Sequence, residues 1–133
     1  MMRWFFSQLF KWLNWKINGD IPKGIDKAVL VIAPHTSNWD FFYGMTTIFL
    51  KRIPAKFAIK KEAMFFPLGP FLKWLGAIPI DRSLKHKTDH KPKQVDMMTQ
   101  LLKNHEKLML VIAPEGTRSY TSRWKTGFYH IAM

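Results

Sequence analysis

Cysteine is absent from this 133-residue chain, which excludes a thiol nucleophile, a disulfide framework and thiolate-bound zinc. Acidic residues are scarce. Nine Asp and Glu stand against 21 Lys and Arg, a net charge of +12, so the expected partner is anionic: phosphate groups, nucleic acid or an acidic membrane surface. No apolar run reaches the roughly 18 residues of a spanning helix. The two best candidates are interrupted, residues 41–50 by threonine and residues 63–75 by Pro67, Gly69 and Pro70. A Gly-x-Ser-x-Gly elbow is lacking, and so are zinc-finger and RNP-type patterns. The N-terminus does not read as a secretory leader, because its short apolar stretch is broken by Lys11 and Lys16 and lacks a small-residue cleavage site.

What is present suits a globular domain: 47% hydrophobic and 23% charged residues argue against disorder. Residues 1–17 have helical periodicity. At about 100° per residue, Met2, Phe5, Phe6, Leu9, Phe10, Trp12, Leu13 and Ile17 share an arc opposite Arg3, Ser7, Lys11 and Asn14. Trp4 and Trp15 fall on its boundary, and Lys16 falls inside it. Such a helix lies in a membrane interface or docks its apolar face on the domain core. Gly19, Asp20, Pro22 and Gly24 mark the turn that follows.

Further on, strands are predicted over residues 28–33, 55–59, 76–80 and 108–113, and helices over 41–50 and 94–106. A broken helix is expected over 63–75, a basic loop over 85–93, and the start of another helix over 127–133. The alternation implies an α/β fold, a mainly parallel mixed sheet flanked by helices, with an N-terminal amphipathic helix. Two strands carry the same ending. Val31-Ile32-Ala33-Pro34 precedes His35, and Val111-Ile112-Ala113-Pro114 precedes Glu115. Ligands of parallel sheets bind off the carboxyl ends of strands, so one edge can hold His35, Arg82 and Glu115.

His35 and Asp40 are the chemical centre of this reading. On a continuous helix their five-residue step turns the side chains about 140° apart. They meet only if His35 is on a strand end or loop and Asp40 in a first helical turn. An imidazole held by a carboxylate is a general base. Ser37-x-x-Asp40 equally fits a capping box, in which the carboxylate serves the backbone. The turn Pro114-Glu115-Gly116-Thr117-Arg118-Ser119 offers close backbone approach at Gly116, two hydroxyls and a guanidinium fork, or is an ordinary surface turn. His86 and His90, with Asp89 between them, have the spacing of metal ligands, but they sit among lysines where a solvated loop is the plainer reading. No metal is expected.

Three blocks in order resemble the glycerolipid acyltransferase family, which includes lysophosphatidic acid and glycerol-3-phosphate acyltransferases. They are His35-x-Ser37-x-x-Asp40, Gly76-Ala77-Ile78-Pro79-Ile80-Asp81-Arg82 and Pro114-Glu115-Gly116-Thr117-Arg118-Ser119, with Lys125-x-Gly127 after the third. Pro34, Pro79 and Ala113 depart from the commoner family residues. The resemblance implies transfer of a fatty acyl group from acyl-CoA or acyl-carrier protein to a hydroxyl of glycerol phosphate or a lysophospholipid. His35 would be the base and Asp40 its orienter, Arg82 and Arg118 would hold the acceptor phosphate, and Glu115, Gly116 and Thr117 would complete the substrate site. No bound cofactor is implied. The alternatives are a basic nucleic-acid-binding module and a membrane-associated hydrolase using Ser37, although no nucleic-acid partner is expected. The expected organisation is a membrane-interface helix over 1–18 and an acyltransferase domain over 25–133 whose C-terminal part is missing. The expected location is the cytoplasmic face of a membrane, peripheral or monotopic.

Overall fold

A computed structural model describes residues 1–80 and 94–133. The elements are α1 (Met2–Trp12), β1 (Lys27–Val31), α2 (Asn38–Lys51), β2 (Ala55–Lys60), a 3-10 turn (Lys61–Ala63), α3 (Leu68–Trp74), β3 (Ala77–Ile80), α4 (Gln94–Asn104), β4 (Leu108–Ile112) and α5 (Gly127–Ala132). The four strands form one sheet in the order β1-β4-β2-β3, with every pairing parallel. The basic loop expected over 85–93, His86 and His90 lie outside the described residues, as does Arg82.

Helices cover both faces of the sheet. On one face Phe41 and Met45 of α2 pack with Leu72 of α3 against Phe57, Ala77 and Val111. On the other, Met98 of α4 and Ile131 of α5 pack against Ile80 and Leu110. β4 lies between β1 and β2 and supplies Leu108, Met109 and Leu110, the most deeply buried run among the described residues. Among the described strands β1 pairs with β4 alone, and its end residues Lys27 and Val31 are exposed. The continuous apolar run of residues 28–33 therefore belongs to an edge strand rather than a fully buried one.

α2 starts earlier than its hydrophobic pattern suggests, because Ser37 caps it. The Ser37 hydroxyl accepts from Trp39 N–H at 3.1 Å, and Asp40 answers by accepting from the Ser37 N–H. α1 stops earlier than its periodicity suggests. Asn14 adopts φ +58°, its N–H donates to the Lys11 carbonyl, and the Trp15 N–H donates to the Phe10 carbonyl at 2.8 Å. This is a Schellman ending with asparagine in the left-handed position and Trp15 packed back on Phe10. Lys16 thus lies past the helix.

The rotation of α1 also differs from the simple two-sided reading. Phe6 meets Phe42 and Phe49 of α2, Phe10 meets Tyr43, and Trp15 stacks on Tyr43 with ring centroids 4.1 Å apart. Arg3, placed on the polar side by the helical projection, turns toward α2 and donates to the Leu50 carbonyl, satisfying a last-turn acceptor. Aromatic pairs of this kind contribute about 0.5–1.5 kcal/mol each beyond area burial, so α1 is docked. Its remaining aromatics, Trp4, Phe5 and Trp12, are exposed. The docking alternative is met along one stripe of this helix, while another stripe stays exposed.

Candidate active site

The carboxyl ends of neighbouring β1 and β4 lead to helices on opposite faces of the sheet, α2 on one and α5 on the other. Loops that diverge in this way open a crevice at the sheet edge. His35 stands in the first loop and Glu115 in the second. They are joined directly: the His35 backbone N–H donates to Glu115 Oε2 at 3.0 Å. The repeated Val-Ile-Ala-Pro endings are therefore side by side, with Val31 opposite Ile112 and the Ile32 N–H donating to the Ile112 carbonyl.

His35 Nδ1 lies 3.9 Å from Asp40 Oδ2, with the two side chains 26% and 32% exposed. The pair meets as the loop-to-helix placement requires, at ion-pair distance rather than hydrogen-bond distance. Asp40 Oδ2 also accepts from Thr36 N–H and Ser37 N–H, both at 2.8 Å. The cap of α2 and the approach to His35 thus share one carboxylate oxygen. The Ser37 N–H above all, then the Thr36 N–H and the neighbouring His35, hold the Asp40 carboxyl below its ordinary value of 3.8. A carboxyl depressed by folding adds stability above its unfolded value, and that contribution is lost as pH falls through the folded value. The thermal midpoint should therefore drop on acidification below about pH 4, and Asp40→Asn should flatten that drop. An identical acid limb in both proteins, measured by circular dichroism melts, would refute this.

The second loop is shaped by Gly116, at φ +66°. A Cβ there would lie 2.7 Å from Lys125 Nζ, so the absent side chain lets Lys125 cross the turn. The Gly116 N–H donates to the Ala113 carbonyl at 3.2 Å, which commits that amide to the turn. The Thr117 hydroxyl accepts from Ser119 N–H at 3.2 Å. Arg118 is exposed. Glu115, expected to contact substrate, uses one oxygen to hold the backbone of the His35 loop. Neither this role nor that of Lys125 was visible in spacing alone; the adjacency of the two repeated endings was the available clue.

Beneath His35, between α2 and the sheet, lies a small cavity of about 130 Å³ lined by Ile32, Phe41, Gly44, Met45, Ile48 and Val111 among others. A larger, open hollow of about 880 Å³ sits at the opposite, amino edge of the sheet under the segment from Ile17 to Asp26. It contains none of the motif residues, and its Asp20 is ion-paired with Lys51. Among the described residues, no three His, Asp or Glu side chains gather in a way that could hold a metal ion.

The sequence profile of the acyltransferase family matches residues 14–133. No curated protein and no solved structure matches the chain. The match begins beyond α1 and runs from the turn before β1 to the end of α5, taking in both of the loops that the His35–Glu115 bond ties together. The chain therefore belongs to the acyltransferase family.

Proposed function

We propose that this acyltransferase moves a fatty acyl group from an acyl-CoA or acyl-carrier-protein thioester to a hydroxyl of glycerol phosphate or a lysophospholipid. The observation that carries the proposal is the His35–Asp40 pair at the carboxyl edge of the sheet. With Nδ1 toward Asp40, Nε2 is left to face substrate. The acceptor hydroxyl attacks the thioester carbonyl carbon as Nε2 takes its proton. The carbon–sulfur bond then breaks, and the imidazolium returns the proton to the departing thiolate. Asp40 fixes the tautomer and stabilises the imidazolium, the logic of a serine-hydrolase triad with substrate in place of serine. The 3.9 Å gap closes by about 1 Å in such a step, as catalytic hydrogen bonds commonly tighten once substrate is bound.

The apolar cavity under His35 suits the first methylenes of the acyl chain. Gly116 has its amide committed, so the Thr117 N–H is the better oxyanion donor of the two. Arg118 serves the acceptor phosphate, with Arg82 as its expected companion. The exposed aromatics of α1 and the net charge of +12 suit peripheral attachment to an anionic membrane, on its cytoplasmic face. Among the described residues no helix is long and apolar enough to cross a bilayer.

The protein assayed with both donor types should acylate phosphate-bearing acceptors. Arg118→Ala should weaken their use by about ten- to a hundredfold, corresponding to a charge-assisted contact of about 1.5–3 kcal/mol. Equal weakening with a phosphate-free hydroxyl acceptor would overturn the assignment of Arg118. Thioester hydrolysis with no transfer to any hydroxyl would overturn the reaction.

A further inference from the structure

Exposed aromatics are unevenly distributed over the described structure. The α1/α2/α3 side carries Trp4, Phe5, Trp12, Trp39, Phe65, Phe66, Phe71 and Trp74, whereas α4 exposes Met97, α5 exposes Tyr129 and the loop between β4 and α5 exposes Tyr120 and Trp124. The densest group is the short stretch over residues 65–74. Phe66 is 85% exposed and Trp74 63%, and Phe71 stacks on Trp74 with centroids 6.1 Å apart. Only one side of this stretch is buried: Gly69 and Leu72 face the sheet, and Leu72 joins Phe57 and Ala77 in the core.

The sequence around the patch is basic. Lys60, Lys61 and Lys73 flank the aromatics against a single acid, Glu62, and all four are exposed. Phenylalanine and tryptophan bordered by lysine is the composition of an element lying at a lipid headgroup boundary. Placement supports the same occupant. Phe65 and Phe66 follow β2 at the carboxyl edge, the edge at which His35 follows β1 and Glu115 follows β4. A bilayer touching Phe66 therefore reaches the end of the sheet where a thioester would be attacked.

We propose that residues 65–74 form a second contact with an anionic lipid bilayer, separate from α1, so that the α2/α3 layer faces the membrane and the α4/α5 layer faces water. The inference rests on the membrane reading above for the nature of the occupant, but it concerns residues which that reading does not use. It also explains why a helix as short as α3 exposes both Phe71 and Trp74.

The absence of cysteine permits a direct test on the full chain. A single cysteine in Phe66→Cys or Met97→Cys carries an environment-sensitive dye, and vesicles hold phosphatidylcholine and phosphatidylglycerol in equal parts. The dye at position 66 should shift to the blue on vesicle binding, and the dye at 97 should not. Phe66→Ser with Phe71→Ser, both exposed and so compatible with folding, should lower vesicle partitioning about tenfold, corresponding to about 1.4 kcal/mol, with α1 untouched. Trp4→Ser with Phe5→Ser tests α1 separately. A water-exposed dye at 66 in vesicle-bound protein overturns the second contact while leaving α1 as an anchor. Unchanged partitioning of the folded Phe66/Phe71 variant overturns it as well. So does a parent that is dimeric without lipid and is made monomeric by those two substitutions, which would assign the patch to a second copy of the chain. Failure of the α1 variant alone to weaken binding removes the α1 reading and not this one.

Discussion

His35→Ala should lower acyl transfer by about 10²–10⁴-fold, the range for loss of a positioned general base, while leaving the fold unchanged. The reason for expecting a clean result is local. Glu115 holds the backbone N–H of residue 35, not its ring, so alanine retains that bond. Asp40 accepts from the amides of Thr36 and Ser37, and those bonds also survive the substitution. The cap of α2 and the link between the two loops therefore stay in place while the imidazole is lost. Circular dichroism and a transfer assay together check this, and near-normal turnover in the folded variant would remove His35 from the mechanism. Asp40→Ala is a less clean experiment, because it removes the orienter and the cap acceptor at once.

The largest expected effect on stability is at the centre of the sheet. Leu110 is fully buried on β4, against Ile80, Met98 and Ile131. Leu110→Ala should cost about 2–5 kcal/mol through lost burial and a residual cavity, a large part of the roughly 5–15 kcal/mol that holds a domain together. Trp12→Ala is the matched control: the ring is 81% exposed, and a substitution there should stay within about 0.5 kcal/mol. Urea unfolding of the two variants compares them directly. A Leu110 variant as stable as the parent would mean that β4 is not the core strand described.

Both expectations draw on features with unequal visibility in the sequence. Strands and helices were legible wherever apolar periodicity was strong, as in residues 108–113 and 94–106. Their ends were set by single polar residues instead. Ser37 moved the start of α2 toward the N-terminus through a side-chain bond that hydrophobic pattern does not encode. Asn14 ended α1 because asparagine tolerates the left-handed conformation, although by periodicity it belongs to the polar side. The rotation of α1 was hidden for another reason. An aromatic arc wider than one partner can cover leaves its docking stripe to be chosen by complementary rings, here Phe42, Tyr43 and Phe49.

In the site, the His35–Asp40 meeting was legible because strand, proline and cap together leave one way for a five-residue step to bring the two side chains near each other. The contact of Glu115 was not, since it depends on β1 and β4 being neighbours although β2 and β3 intervene in the chain. The commitment of the Gly116 amide was hidden likewise, because turn closure depends on backbone torsions that one glycine leaves open.

The His35–Glu115 bond makes the placement of His35 sensitive to strand alignment. Residues along a strand advance about 3.3 Å each, so a slip of two residues between β1 and β4 would keep every side chain on its own face and yet carry Glu115 roughly 6.6 Å along the strand, far beyond the 3.0 Å contact. A slipped molecule would keep its helices and would look native by circular dichroism, with its His35 loop untethered. On the proposed mechanism, turnover per folded molecule is then a gauge of alignment purity, and preparations of equal helicity and unequal specific activity would differ in the proportion of chains whose two strands are correctly matched.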